Sequence, residues 1–161
     1  MGGEKFAGLS FEQVVRKYKN TVGSVCIMRL KNQADADDCF QDTFIRLYKK
    51  SPRFESEEHL KAWLIRVSIN ECNRFMRKNR KELLLENNND DVVNFPQEEC
   101  DLSWALFEID EKYREVLYLH YCEDYKVREI AEILKKSPNT VKSLLMRGRE
   151  KLKAYYGGED A

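Results

Sequence analysis

Apolar residues recur every three or four positions along almost the whole of this 161-residue chain. That spacing places them along one side of an α-helix, whereas a half-buried strand would show alternation at every second position. Only three prolines and seven glycines interrupt the pattern. The sequence therefore predicts an all-α protein in which each helix buries one apolar stripe.

A segment without helical periodicity separates two helical parts of the chain. It reads LLLENNNDDVVNFPQEEC, residues 83–100, and no lysine or arginine occurs from Glu86 to Glu111. Clustered asparagines and aspartates, together with a proline, favour turns and a solvated chain. We predict two small helical domains, over residues 1–81 and 99–161, joined by a flexible acidic linker over residues 82–98.

The five cysteines are odd in number, widely spaced and without a Cys-x-x-Cys pair, so they indicate neither a disulfide framework nor a zinc module. His120 and Cys122 form an isolated His-x-Cys, which is better explained by packing than by metal binding. We expect no metal and no cofactor. Because no secretion signal and no run of about 20 apolar residues is present, we also expect no membrane insertion and a cytoplasmic location.

Residues 126–153 have the pattern of a helix-turn-helix. A short amphipathic helix is followed by Ser137 and Pro138, an N-cap with proline at the first helical position. The segment carries nine lysines and arginines against three glutamates. If Val141 and Leu145 dock on the first helix, the side chains that point outward are Asn139, Lys142, Ser143, Met146, Arg147 and Arg149. Amide and guanidinium groups there suit the edges of bases in a major groove.

A second predicted helix, from about Ala34 to Lys49, carries the opposite charge. Asp38 and Asp42 are four residues apart with Gln41 between them, so they form an acidic ridge. The ridge lies beside a predicted apolar stripe of Phe40, Phe44, Leu47 and Tyr48. It is better explained as a contact for a basic protein partner, although a merely solvated face agrees nearly as well with the charge alone.

A third predicted helix begins at the N-cap Ser56 and continues to about Lys81. Its polar stripe contains Arg66, Asn70, Asn73, Arg74, Arg77, Arg80 and Lys81. Phe54, Trp63 and Phe75 lie close enough in sequence to stack on unpaired bases, which suits a single strand. For Trp63 and Phe75 a position in the core is the better explanation.

Taken together, three segments resemble the bacterial RNA polymerase sigma factors of the extracytoplasmic-function group. They are DADDCFQDTFIRLYK, HLKAWLIRVSINECNRFMRK and YREVLYLHYCEDYKVREIAEILKKSPNTVKSLLMRGREKLK, within residues 10–154. The resemblance implies a factor that binds core RNA polymerase and directs it to promoter DNA. It implies that Asp38, Gln41 and Asp42 contact the β′ clamp helices, that the second domain contacts the β flap, and that an anti-sigma factor is a further partner.

The resemblance also implies two contacts with promoter DNA. The −10 element would be recognised and melted by Arg66, Asn70, Arg74 and Arg77, with the loop over residues 51–56 touching flipped-out bases. The −35 element would be read by Asn139, Thr140, Lys142, Ser143, Arg147 and Arg149. In the family a glycine opens the turn of the helix-turn-helix, whereas Lys135 stands here, so we expect strain or a different turn.

Two other classes of protein are compatible with parts of the sequence. A regulator that binds duplex DNA alone accounts for residues 110–153, but it leaves the acidic helix and the basic stripe of the third helix without a role. An enzyme is disfavoured, because no group of nucleophile, base and oxyanion donors is recognisable.

Overall fold

The computed structural model describes residues 5–79 and 102–160, which form helices joined by short connections. The chain divides into two compact units, residues 1–97 and 98–161. The prediction of an all-α protein built from two small helical domains is confirmed. The predicted linker over residues 82–98 and the stripe residues Arg80 and Lys81 lie outside the described residues.

The first unit is a bundle of three helices that all pack against one another. Ser10 caps the first helix in a reciprocal capping box with Gln13, Asn32 caps the second, and Ser56 caps the third, as the sequence predicts. The helices are α1 (Phe11–Leu30), α2 (Gln33–Lys50) and α3 (Glu57–Lys78). Fully buried core residues include Val14, Val22, Leu47, Leu60, Leu64 and Ile65.

One thiol from each helix reaches the centre of this bundle. Cys26, Cys39 and Cys72 are free and buried, and the Cys72 thiol interacts with the other two. Hydrogen bonding to Cys72 and burial raise the pKa of Cys39, and hydrogen bonding to Cys26 raises that of Cys72. These thiols therefore act as small apolar core groups. Cys122 in the second unit is disulfide-bonded, which the spacing of the cysteines did not indicate.

A buried carboxylate joins α2 to α3. Glu71 is only 6% exposed, and its Oε1 accepts a hydrogen bond from Nε of Arg46. Nη1 of Arg74 lies 3.7 Å from the same oxygen. Because an unpaired carboxylate in this position would carry a large desolvation penalty, Arg46 fixes how α2 and α3 are aligned.

The second unit holds the helix-turn-helix. Arg114 is 6% exposed and donates to the carbonyl oxygens of Leu106 at 3.1 Å and Ile109 at 3.0 Å, so it ties the end of one helix to the next. The helices are α4 (Leu102–Leu106), α5 (Glu111–Leu117), which continues into a π-helical turn (Tyr118–Cys122), α6 (Val127–Leu134) and α7 (Pro138–Asp160).

The turn between α6 and α7 keeps the shape that a glycine would give it. Lys135 adopts the left-handed conformation, with φ 55° and ψ 47°, and its N–H bonds to the carbonyl oxygen of Ala131. The N–H of Lys136 bonds to the same oxygen at 2.9 Å. A lysine in this conformation costs about 1–2 kcal/mol. Of the two outcomes expected from the sequence, a strained lysine or a different turn, the strained lysine is the one observed.

Gly148 in α7 provides the test of how closely the second unit is packed. A Cβ added there would lie 2.9 Å from Cδ1 and 3.1 Å from Cγ of the buried Leu117. Overpacking of this kind costs about 1–3 kcal/mol, against a gain of about 1 kcal/mol in helix propensity. We expect Gly148→Ala to lower the free energy of unfolding by about 1 kcal/mol.

Gly157 is the matched control, because it lies in the same helix and a Cβ there would meet nothing within 4 Å. Gly157→Ala is expected to lose no stability. Thermal denaturation of the full chain compares the two variants, and equal effects would contradict the close approach of α7 to Leu117.

Candidate functional site

One side of α2 is exposed along most of its length. Asp38, Gln41 and Asp42, the three predicted contact residues, all lie on it. Ile45 and Tyr48 continue the same line in steps of three and are 47% and 67% exposed. The opposite side is buried through Ala36, Cys39, Thr43, Phe44 and Leu47. We call Asp38, Gln41, Asp42, Ile45 and Tyr48 the α2 face; it begins with carboxylates and ends with large apolar groups.

The prediction that Tyr48 belongs to the buried stripe of α2 is wrong. Its ring makes an edge-to-face contact with the ring of Phe11, with the two centroids 5.3 Å apart and the ring planes at 75°. Ile45 was missed altogether, although its position three residues after Asp42 is a signal that the sequence contains. Large apolar groups exposed beside charges are typical of the centre of a protein interface.

The basic stripe of α3 is exposed as predicted at four positions. Arg66, Asn70, Arg74 and Arg77 are all exposed and recur along one side of the helix. The side chain of Arg74 also lies within 3.7 Å of Glu71, so it is partly engaged within the bundle. Arg66, Asn70 and Arg77 are therefore the better candidates for contact with a ligand.

Asn73 does not belong to this exposed stripe. It is half-buried, and its Oδ1 accepts a hydrogen bond from Nη2 of Arg29 in α1. The amide thus helps to hold α1 and α3 together, which periodicity alone could not distinguish from a solvated position.

Aromatic rings stand at the start of α3, next to the loop over residues 51–56. Phe54 and Trp63 are both half-buried, and their ring centroids are 5.6 Å apart in an edge-to-face arrangement. Trp63 is therefore not the fully buried core residue that we favoured from the sequence. The loop and the first turns of α3 offer partly exposed rings beside the basic stripe.

The helix α7 presents the predicted recognition surface. Ser137 caps it, with the N–H of Thr140 donating to Ser137 Oγ at 3.1 Å. Val141, Leu145 and Leu152 are buried. The six predicted DNA-contact residues are all exposed: Asn139, Thr140, Lys142, Ser143, Arg147 and Arg149. Met146, 56% exposed, lies among them.

Arg149 is held by the side chain of Tyr121. Its Nε donates to the hydroxyl of Tyr121 at 2.6 Å, and its guanidinium carbon lies 5.8 Å from the centre of that ring. Tyr121 is itself 42% exposed. The contact fixes the direction of the Arg149 side chain before any ligand binds.

Two sequence families match this chain, Sigma-70 region 2 over residues 14–82 and Sigma-70 region 4 over residues 105–152. The RNA polymerase sigma factor SigZ of Bacillus subtilis is 31% identical over 137 residues, which cover 81% of this chain and 77% of SigZ. The ECF RNA polymerase sigma factor SigM of Bacillus subtilis is 27% identical over 157 residues, which cover 92% of this chain and 96% of SigM. The chain belongs to the extracytoplasmic-function group of the sigma-70 family.

Two solved structures have a similar fold. The sigma factor RpoE of Bartonella quintana, in complex with the anti-sigma factor NepR, superposes with a TM-score of 0.73 at 25% identity. The match covers 89% of this chain and 94% of the RpoE chain. CnrH, in complex with the cytosolic domain of CnrY, superposes with a TM-score of 0.64 at 25% identity. The match covers 92% of this chain and 88% of the CnrH chain.

None of the helices described in the present chain is both long and apolar enough to cross a membrane.

Arg147 and Lys153 are both exposed cations on α7, so a comparison of their alanine variants can distinguish base reading from phosphate binding. We expect Arg147→Ala to cost about 1–3 kcal/mol and to relax specificity at one base pair of the upstream element. Lys153→Ala should weaken all sequences alike and reduce the salt slope of binding by about one unit. Fluorescence anisotropy with single-mismatch duplexes measures both, and equal, sequence-independent losses would argue against base reading.

Proposed function

We propose that this chain is a transcription initiation factor that binds core RNA polymerase and brings it to promoters with suitable −10 and −35 elements. The observation that carries the proposal is the separation of charge: the α2 face is acidic, whereas the exposed sides of α3 and α7 are basic. The factor acts by binding and leaves the chemistry of RNA synthesis to the polymerase. It works in the cytoplasm, with domains over residues 1–81 and 99–161.

The α2 face is the proposed contact for the β′ clamp helices. Asp38 and Asp42 supply negative charge that attracts a basic partner and sets its orientation. Ile45 and Tyr48 supply apolar area that leaves water when the partner binds. The second domain is proposed to lie on the β flap.

The −10 element is proposed to bind at α3 and the loop over residues 51–56. Extruding a base from the stack costs a few kcal/mol, which stacking and hydrogen bonding must offset. The half-buried rings of Phe54 and Trp63 provide stacking surfaces, and Asn70 provides an amide that can pair with a base edge. Arg66 and Arg77 are proposed to contact phosphates, and Arg74 to assist when it leaves Glu71.

The −35 element is proposed to receive the first turns of α7 in its major groove. Lys142, Ser143 and Arg147 present donors to base edges, and Met146 presents an apolar surface to the methyl group of thymine. Arg149, oriented by Tyr121, is placed for the phosphate backbone, with Asn139 and Thr140 at the entrance of the groove.

An anti-sigma factor is the proposed regulatory partner, since RpoE of Bartonella quintana is bound to the anti-sigma factor NepR.

A regulator that works without polymerase is not favoured, because it would leave the α2 face without a function. Mixing the protein with core polymerase and a promoter library tests the proposal. A sigma factor yields transcripts that start at defined sites, whereas a solitary regulator yields DNA binding that is independent of polymerase.

Asp42→Arg tests the polymerase contact directly. Placing a positive charge against a basic partner costs several kcal/mol, so we expect the affinity for core polymerase to fall by roughly 100-fold or more, with unchanged helical content. Asp37→Arg is the matched control, because it makes the same charge change five residues earlier in the same helix, at an exposed position that is not one of the five residues of the α2 face. Surface-bound polymerase measures both affinities, and equal losses would place the interface elsewhere.

A further inference from the structure

A tight turn precedes α1 and inserts a phenylalanine into the first unit. Phe6 and Leu9 form an isolated antiparallel bridge, with N–H to O distances of 3.0 and 2.9 Å. Both central residues have positive φ, 52° at Ala7 and 83° at Gly8, as in a type I′ turn. Ala7 therefore adopts the left-handed conformation, which is unfavourable for residues with a Cβ atom. Because Leu9 is followed at once by the cap of α1, the turn is joined directly to that helix.

The turn directs Phe6 inward, where it is 2% exposed. Its ring centroid lies 6.3 Å from that of Phe11 in α1 and 6.5 Å from that of Phe54 in the loop over residues 51–56. Phe54 in turn contacts His59 and Trp63, with centroid distances of 5.2 and 5.6 Å. Phe6 therefore links the start of α1 to the loop between α2 and α3.

Polar contacts hold this loop near its ends. Ser51 Oγ donates to the Tyr48 carbonyl at 2.9 Å, and the Glu55 N–H donates to Nδ1 of His59 at 3.2 Å. The ring of Phe54, between them, is held by packing against Phe6 and Trp63. Since Phe54 is half-buried, one part of its surface is fixed by these neighbours and another part is open to solvent.

We infer that Phe6 is a positioning residue for promoter opening, which sets the orientation of Phe54 so that its open surface can receive an unpaired base. This inference rests on the proposed function, because it names a residue that supports the −10 contact without touching DNA. The ligand that depends on it is the single non-template strand of the −10 element. The duplex of the −35 element, bound by α7 in the other unit, does not depend on it.

The test measures holoenzyme made with Phe6→Ala, using a promoter that the wild-type holoenzyme selects from the library. We expect the affinity for the single-stranded −10 oligonucleotide to fall roughly tenfold. The fluorescence of a 2-aminopurine in that element, which reports opening, should fall with it. Affinity for core polymerase should persist, because Asp38, Gln41 and Asp42 lie on α2, whereas the ring of Phe6 contacts Phe11 in α1 and Phe54 in the loop.

Val25→Ala controls for a general loss of stability. Val25 is 3% exposed and lies in the second half of α1, so the change also opens a cavity in the same unit. At a temperature where both variants remain folded, Val25→Ala should bind the single strand like the wild type. An equal loss in both variants would mean that Phe6 acts only through stability, and the inference would be overturned.

A pair of variants in the turn tests the same idea with Phe6 intact. Gly8→Val places a β-branched side chain at φ 83° and should disrupt the turn, so single-strand affinity should fall. Ala7→Gly removes the strain at φ 52° and should leave that affinity unchanged. Wild-type holoenzyme that fails to bind the single strand overturns the proposed function and this inference with it. Normal wild-type binding that neither Phe6→Ala nor Gly8→Val weakens overturns the inference alone.

Discussion

Burial of one apolar stripe per helix determines which charges this chain can present to other molecules. In α2 the packing of Cys39 and Leu47 leaves Asp38 and Asp42 outside, and in α7 the packing of Val141 leaves the basic side chains outside. A helix cannot turn its other side outward without exposing the buried area, at about 25 cal/mol per Å². The cores of the two units thus keep opposite charges on separate faces, which are the faces that we propose for polymerase and DNA.

The parts of this architecture that follow local rules could be predicted from the sequence. The caps at Ser56 and Ser137 and the buried stripe of α7 depend only on neighbours within a few residues, and all are observed. Tyr48 was predicted to belong to the apolar stripe of α2 and is 67% exposed. It lies at the border of that stripe, where burial depends on how far the neighbouring helix extends, and periodicity does not contain that information.

Polar residues whose partners lie far along the chain were the other source of error. Asn73 was predicted to be a member of the basic stripe, and Glu71 is the one anion between Arg66 and Lys81, yet both are bound to arginines from other helices. Removing Glu71 from the surface leaves the exposed side of α3 more uniformly positive than a count of charges suggests. The candidate DNA surface is therefore shaped in part by a pairing that no local pattern specifies.

The pair formed by Glu71 and Arg46 also has a thermal consequence. Water orders itself around ions, so the penalty for dehydrating them becomes smaller as temperature rises, while the stabilisation per unit of buried apolar area levels off. The tie between α2 and α3 therefore contributes a growing share of the cohesion of this unit on warming. The spacing between the acidic side of α2 and the basic side of α3, the two surfaces that we propose for the enzyme and its template, would then be maintained on warming.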